Sequence, residues 1–503
     1  MTTPLLRLPR IGADALDVVK RLSGRLDLAN VEYDRVDRYY TGDQPLKFMP
    51  PEVVAQLGER LSPLVINWPE TVVDSVTRRL SVEGFRIGQG GEADDEMWRI
   101  YTANELEEES PLGISDALVH GLAYLSVWGN QDDSQTPVIS FESAHQVTVE
   151  YDPGNRTVRA ALKRWTDGTD TFVTLYTRTE VVRYAAVRML GGTVSSYEID
   201  QVLPNPLGAV PIVPMVNRGR LLNRNGRSEL ESVAPIADGI NALFTDMMTT
   251  ADFYVTPRRY VTGMQVSSDP GQRERLQAEV AAYWERAIKS KMLVAGEGVE
   301  FGQFPEATLD GFVKGINALT SALAAIAGLP PDDLGLHTTN PASAEARRAA
   351  ETTLILRAKE KQRAFGAAYV KAMRLAIASR DGTALADVPQ EFSRMQVAWA
   401  DPATPAIAQA MDAAVKGKEA GIYDVEAAQE QVGMSPVERA AVKQRAAEAT
   451  FAAATSDIRA RMDLARELSG TDVPLSPNAA LAAAGLLQAA STNSADRAPS
   501  TPA

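Results

Sequence analysis

The 503-residue sequence contains no cysteine. That removes disulfides, thiolate nucleophiles and cysteine-ligated zinc together, and suits a chain that folds in a reducing cytoplasm. Histidine is nearly absent: His120, His145 and His337 are the only three, and neither HExxH nor a GxSxG serine accompanies them. His120 and His145 fall in or beside strand-like segments and read as structural side chains; His337 reads as a loop residue. No GxxxxGK[ST] phosphate cradle occurs, and the glycine-rich "GQGGEADD" lacks GxGxxG spacing and reads as a loop. Long apolar runs are missing as well. "LTSALAAIAGL" is about half the roughly 20 residues that span a bilayer, and "MTTPLLRLPRIGAD" is too weakly apolar for a signal peptide. Positive charge is also short: Lys and Arg number 51 against 65 Asp and Glu, a net charge of −14. A protein that coats nucleic acid carries the opposite excess, so any contact with DNA has to be local. Together these absences predict a soluble intracellular chain with no catalytic residues, no cofactor, no metal site and no membrane association.

What is present is enough apolar residue for real cores, 45% of the sequence in a 54.3 kDa chain, and length for two to four domains. Residues 12 to 80 read as helices. Leu28, Val31, Val36 and Tyr39 fall near helical spacing, with Gly42 and Pro45 as a stop. In "NWPETVVDSVTRRL", Asn67 is placed to cap, Glu70 to reach back, and Trp68, Val72, Val76 and Leu80 to share a face. Residues 92 to 109 carry eight acids against Arg99 alone, the pattern of a solvated helix face.

Between about 122 and 203 the period changes to two. "YLSVWG", "VISFES", "QVTVEY", "TVRAALKRW", "TFVTLYT" and "EVVRYAA" alternate and are punctuated by turns such as Asp152-Pro153-Gly154, which predicts an antiparallel sheet region. "NPLGAVPIVPMVNR" follows, its prolines admitting only an extended edge segment. Helices then return. Residues 228 to 252 hold Glu229, Glu231, Asp238, Asp246 and Asp252 with no base, whereas 306 to 328 are Gly- and Ala-rich with little charge. Between them, 253 to 305 read as strand, helix and strand. Asp332-Asp333 follows a Pro-Pro turn and reads as a cap, not an acid/base pair. Residues 342 to 380 carry nine bases against three acids, with Leu354, Ala358, Phe365, Tyr369, Met373 and Ile377 on one stripe. The rest is Ala-rich and helical, with Ser435, Pro436 and Glu438 as a capping box, and "STNSADRAPSTPA" has the composition of a disordered tail.

Four of these segments occur in an order that resembles the portal proteins of long-tailed double-stranded DNA bacteriophages, the Gp6-like portal family. They are "RYYTGDQPLKFMPP", "NWPETVVDSVTRRLSVEGFRI", "NPLGAVPIVPMVNR" and "GLPPDDLGLHTTNPASAEARRAAE", and the resemblance runs from about residue 30 to about 445. It implies a mainly helical α+β fold and assembly as a ring, usually of twelve subunits, at one vertex of the capsid. It further implies a wing from 1–227 with a return contribution from about 383–404, and stem helices at 228–252 and 306–328. A clip would occupy 253–305, a tunnel loop 329–341, a long helix and return strand 342–404, a helical crown 405–490 and a tail 491–503.

On that resemblance Asp238 and Asp246 would line an acidic channel that repels phosphate and keeps the duplex centred. His337, Thr338, Thr339 and Asn340 would face DNA with weakly charged hydrogen-bonding groups. Arg258, Arg259, Lys289 and Lys291 would meet DNA or an acidic partner at the clip, and the bases of the long helix would chiefly bridge neighbouring subunits. The implied partners are further copies of the chain, the DNA passing through, a terminase that supplies the energy, the major capsid and scaffolding proteins, and a head-to-tail connector. The implied location is the virion, with assembly in the host cytoplasm. Two other readings compete: a different capsid-associated head-completion protein, and a cytosolic hydrolase holding a divalent metal on the acidic run, with Asp94 and Asp95 as ligands.

Overall fold

A computed structural model describes residues 13–45, 65–88, 94–188 apart from 169, 194–255, 259–262, 300–303, 309–336 and 344–403, with shorter stretches within 270–282 and 407–460. The chain divides into two compact units, 1–403 and 404–503.

The first unit is organised around a helix, α1 (Ala13–Thr41), that runs past three cores. Its first half sets Val19, Leu22 and Leu26 against Leu162, Val173, Leu175 and Val182 of a sheet. Its middle offers Tyr33 to a second cluster, and Val36 and Tyr39 enter the largest one. Leu28 and Val31, which the spacing counts with that stripe, are exposed instead. The buried face is continuous only across Val19, Leu22, Leu26, Val36 and Tyr39.

The next elements are α2 (Trp68–Thr77), β1 (Val82–Ile87), α3 (Asp95–Ala103) and α4 (Leu106–His120). Val72, Val76 and Leu80 are buried as the periodicity requires. Asn67 occupies the N-cap position of α2 but makes no cap bond to the backbone. Its amide donates to Glu70 at 2.9 Å and to the Tyr40 carbonyl at 2.8 Å, so it ties α2 to the end of α1. Within the acidic run Asp94 is the cap of α3, accepting from the N–H groups of Glu96 and Met97.

Strands β2 (Leu122–Trp128), β3 (Val138–Ser143), β4 (Val147–Tyr151), β5 (Val158–Asp167), β6 (Asp170–Tyr176) and β7 (Glu180–Arg188) occupy the six alternating stretches. Two further strands, β8 (Val194–Pro204) and β9 (Ile212–Val216), complete two antiparallel sheets, ordered β3-β2-β9 and β4-β5-β6-β7-β8. β9 is an edge strand, with Pro214 opposite Tyr124. β2 is buried on both faces, and its alternation divides it between two cores: Ala123, Leu125 and Val127 face the helical cluster, Leu122 and Tyr124 the other.

The chain continues through α5 (Ala234–Val255), β10 (Arg259–Thr262), β11 (Glu300–Gln303) and α6 (Asp310–Ala327). A 3-10 turn, Pro331–Leu334, precedes the long α7 (Ala344–Asp381), and β12 (Met395–Trp399) returns to pair antiparallel with β1. At 1.5 Å per residue the 38 residues of α7 extend roughly 57 Å. All six stripe residues from Leu354 to Ile377 are buried, which is how a helix so rich in Arg and Lys packs: its apolar side lies on β2, β9 and β12. The second unit contains α8 (Ile407–Glu419) and α9 (Val425–Gln431). Ser435, Pro436 and Glu438 lie outside the described residues.

Candidate functional site: the helix pair, the buried charges and the histidine cluster

Helices α5 and α6 pack antiparallel. A Cβ on Gly239 would sit 3.4 Å from Leu319, and one on Gly315 would sit 3.3 Å from Leu243, so glycine on each helix admits a leucine from the other. The two helices are joined through the β10–β11 ladder, in which Arg259 stands opposite Gln303. Arg258, Lys289 and Lys291 lie outside the described residues, as do His337, Thr338, Thr339 and Asn340. The turn before that loop is anchored: Leu334 is buried, and Gly328 and Gly335 adopt the left-handed conformation that ends a helical turn.

The outward face of α6 carries Ala318, Ser321, Ala322 and Ala325. Large apolar side chains stand out beside them: Val313 is 47% exposed and Ile326 50%.

The acids of 228–252 do not form one face. Asp246 is exposed on α5. Asp238 is only 4% exposed, and its two carboxylate oxygens share the one hydrogen of the Tyr39 hydroxyl, at 2.8 and 3.0 Å. It is a core residue that anchors α1 to α5, so the expectation that it lines a channel fails. Glu231 lies ahead of the helix and pairs with Arg227 at 2.5 Å.

Glu229 is the most constrained of them. Its carboxylate is fully buried and meets three cations: Lys361 at 2.7 Å, Arg218 at 3.0 Å, and Arg357. Asn217 donates to it at 3.1 Å, and Lys361 donates to Asn217 at 2.5 Å. Burial pushes Glu229 towards its neutral form, but Lys361, Arg357 and Arg218 outweigh it and hold the carboxyl below its ordinary range. Burial likewise depresses Lys361, with Glu229 opposing. Arg218 reaches the carboxylate from a left-handed backbone, φ 49°, which is uncommon away from glycine. Thus two of the α7 bases, Arg357 and Lys361, serve the subunit's own interior. A third, Arg380, pairs with Glu96 at 2.5 Å and Asp381 at 2.8 Å.

The segment carrying this network is strapped to the end of α4. Asn217 N–H donates to the Gly121 carbonyl and Glu229 N–H to that of Leu118, both at 2.9 Å. Gly121 itself has φ 84°, and a Cβ there would meet the Arg227 backbone at 2.7 Å.

One residue before Gly121, His120 joins a cluster that the sequence does not advertise. Its Nε2 lies 2.7 Å from one oxygen of Asp37, and Nε2 of His145 lies 2.7 Å from the other. Asp37 comes from α1, His120 from the last position of α4 and His145 from the turn between β3 and β4. Tyr33 packs edge-on against both rings. On the far side of each ring stands another acid: Asp116 is 3.8 Å from His120 Nδ1, and Asp34 is 3.8 Å from His145 Nδ1. Among the described residues these three are the only group of this kind whose donor atoms converge enough to hold a metal ion. Among the described residues of the acidic run around Asp94 and Asp95 no such convergence occurs.

Comparison with known proteins places the chain. The profile of the family described as "Phage portal protein, SPP1 Gp6-like" matches residues 26–450. Portal proteins of Mycobacterium phages D29 and L5 are each 34% identical over 390 residues, covering 74% of this chain and 77% of each relative. Among solved structures, a chain from the neck of a native gene transfer agent particle aligns over 78% of this chain and 95% of its own length, with TM-score 0.43 and 14% identity. One from the neck of the empty particle aligns over 77% and 95%, with TM-score 0.45 and 15% identity.

Proposed function

Because the chain belongs to the SPP1 Gp6-like family of phage portal proteins, we propose that it assembles as a ring of twelve subunits at one capsid vertex. Double-stranded DNA enters and leaves through its centre. In this reading residues 228–252 and 306–328, which hold most of α5 and all of α6, are the stem, and 253–305 is the clip. Residues 329–341 are the tunnel loop and 405–490 the crown. The wing is 1–227 together with α7 and the return strand β12.

The observation that carries the ring is the outward face of α6. Ala318, Ser321, Ala322 and Ala325 leave room for a neighbouring backbone, and Val313 and Ile326 flank them with apolar surface that a single chain leaves in water. A contact of that kind between unlike faces of identical subunits is heterologous, and repeats until it closes on itself. The channel lining contributed by α5 is then Asp246, with Asp238 and Glu229 withheld in the subunit's interior. A lining of sparse negative charge lets the duplex slide without gripping it.

We assign the chain no catalytic step. The energy for packaging comes from a separate terminase docked at the clip, where Arg258, Arg259, Lys289 and Lys291 supply positive charge and which later receives the head-to-tail connector. Capsid and scaffolding proteins surround the wing during assembly in the host cytoplasm, and the finished virion retains the ring. His337, Thr338, Thr339 and Asn340 are the DNA-facing positions of the tunnel loop. Deleting Thr338 to Asn340 is expected to leave ring formation intact while lowering the amount of DNA packaged per head. Heads built with the deleted chain that fill normally would remove the loop from the account.

A further inference from the structure

The portal reading makes no use of Asp37, His120 and His145, and we propose that these three side chains bind one Zn²⁺ per chain. The inference stands on their geometry and does not depend on the ring.

A carboxylate only accepts hydrogen bonds, so the 2.7 Å contacts to Asp37 require a hydrogen on Nε2 of each imidazole in the absence of an ion. A neutral ring with its hydrogen there turns the Nδ1 lone pair towards a second carboxylate, Asp116 in one case and Asp34 in the other. His120 Nδ1 is moreover buried without a hydrogen-bond partner. A cation between the rings reverses the arrangement. Both Nε2 lone pairs and an Asp37 oxygen take the ion, and each Nδ1–H faces its own carboxylate. Outer carboxylates placed behind metal-bound imidazoles in this way fix the tautomer and the ring orientation.

Charge points the same way. Three carboxylates, Asp37, Asp34 and Asp116, stand around the two rings, a concentration of negative charge that a divalent ion offsets. Two imidazoles and one carboxylate form a donor set suited to zinc, with the fourth tetrahedral position open to water; calcium and magnesium favour oxygen ligands throughout. Zinc bonds of about 2.0–2.2 Å set tetrahedral donors roughly 3.3 Å apart. The three donor atoms already lie within 4.8 Å of one another, so small side-chain rotations accommodate the ion. The ligands come from α1, the end of α4 and the β3–β4 turn, so the ion would fasten together three segments far apart in the chain.

The test is isothermal titration of the untagged full-length protein, stripped with EDTA, with Zn²⁺ alone. One zinc per chain is expected. His145→Gln, a substitution in a partly exposed turn, is expected to abolish that binding with an unchanged circular dichroism spectrum, and Asp116→Asn to weaken it about 10- to 100-fold. A wild-type chain that takes up no stoichiometric zinc, or a folded His145→Gln chain that binds as tightly as wild type, overturns the proposal. So does a zinc-edge X-ray absorption spectrum of the wild-type complex without imidazole scattering, a measurement that needs no variant.

Discussion

Lys361 Nζ lies 2.7 Å from Glu229 Oε1, an ion pair whose carboxylate has no exposure to solvent and which joins the long helix α7 to the segment leading into α5. Arg218 and Arg357 converge on the same carboxylate. The pairing makes one charge indispensable to three others.

Replacing Glu229 with Gln leaves those three cations without their carboxylate, and removing one partner of a buried ion pair typically costs about 3–5 kcal/mol. Urea denaturation of Glu229→Gln is expected to show a loss of that order. Adding Lys361→Met relieves part of it, so the double variant loses less than the two single variants together. A loss below about 1 kcal/mol for Glu229→Gln would show that the network does not hold α7 in place.

The same carboxyl sets a pH dependence. Its folded pKa lies below the unfolded value of about 4.3, so its contribution is fully present above that pH and is lost as pH falls through the folded pKa. The stability gap between wild type and Glu229→Gln, measured by denaturation from pH 7 down to pH 3, is expected to narrow only on the acid side. A gap that stays constant to pH 3 would contradict the assignment.

Two glycines are expected to respond in opposite directions to alanine. Gly121 has a positive φ and would drive a Cβ into the Arg227 backbone, so Gly121→Ala is expected to destabilise the chain strongly and disturb both the strap and the neighbouring His120. Gly311, near the start of α6, has open space around its Cβ position. There alanine is expected to add about 0.5–1 kcal/mol through helix propensity. Thermal melts of the two variants side by side decide it; equal melting temperatures would mean that the strap yields.

Ile326→Asp places a charge on the α6 face assigned to the neighbouring subunit. The chain is expected to fold, since half of this side chain is exposed in the subunit, yet to fail to form rings on size-exclusion chromatography. Ring yield equal to wild type would move the interface elsewhere.

Much of the fold is legible in the sequence because period alone determines it. The stripe from Leu354 to Ile377 buries as a 3.6-residue repeat should, and the six alternating stretches become β2 to β7. Charge is legible only as a total. The acids of 228–252 look alike in sequence, but Asp238 bonds Tyr39 and Glu229 bonds bases from α7, partners 199 and 128 residues away for the Tyr39 and Arg357 bonds. No local pattern separates them from Asp246, which stays in solvent. Leu28 and Val31 fail for the converse reason: helical spacing names a face without saying whether anything covers it. The histidine cluster is least legible, since Asp37 is 83 residues from His120 and 108 from His145, and three isolated ligands leave no spacing signature.

Whether this chain closes into a ring is decided by native mass spectrometry of the purified full-length protein, read together with negative-stain electron microscopy. A species of twelve times the 54.3 kDa chain mass and end-on views with a central hole are expected. A monomer or dimer at micromolar concentration, with no annular particles, would contradict ring closure.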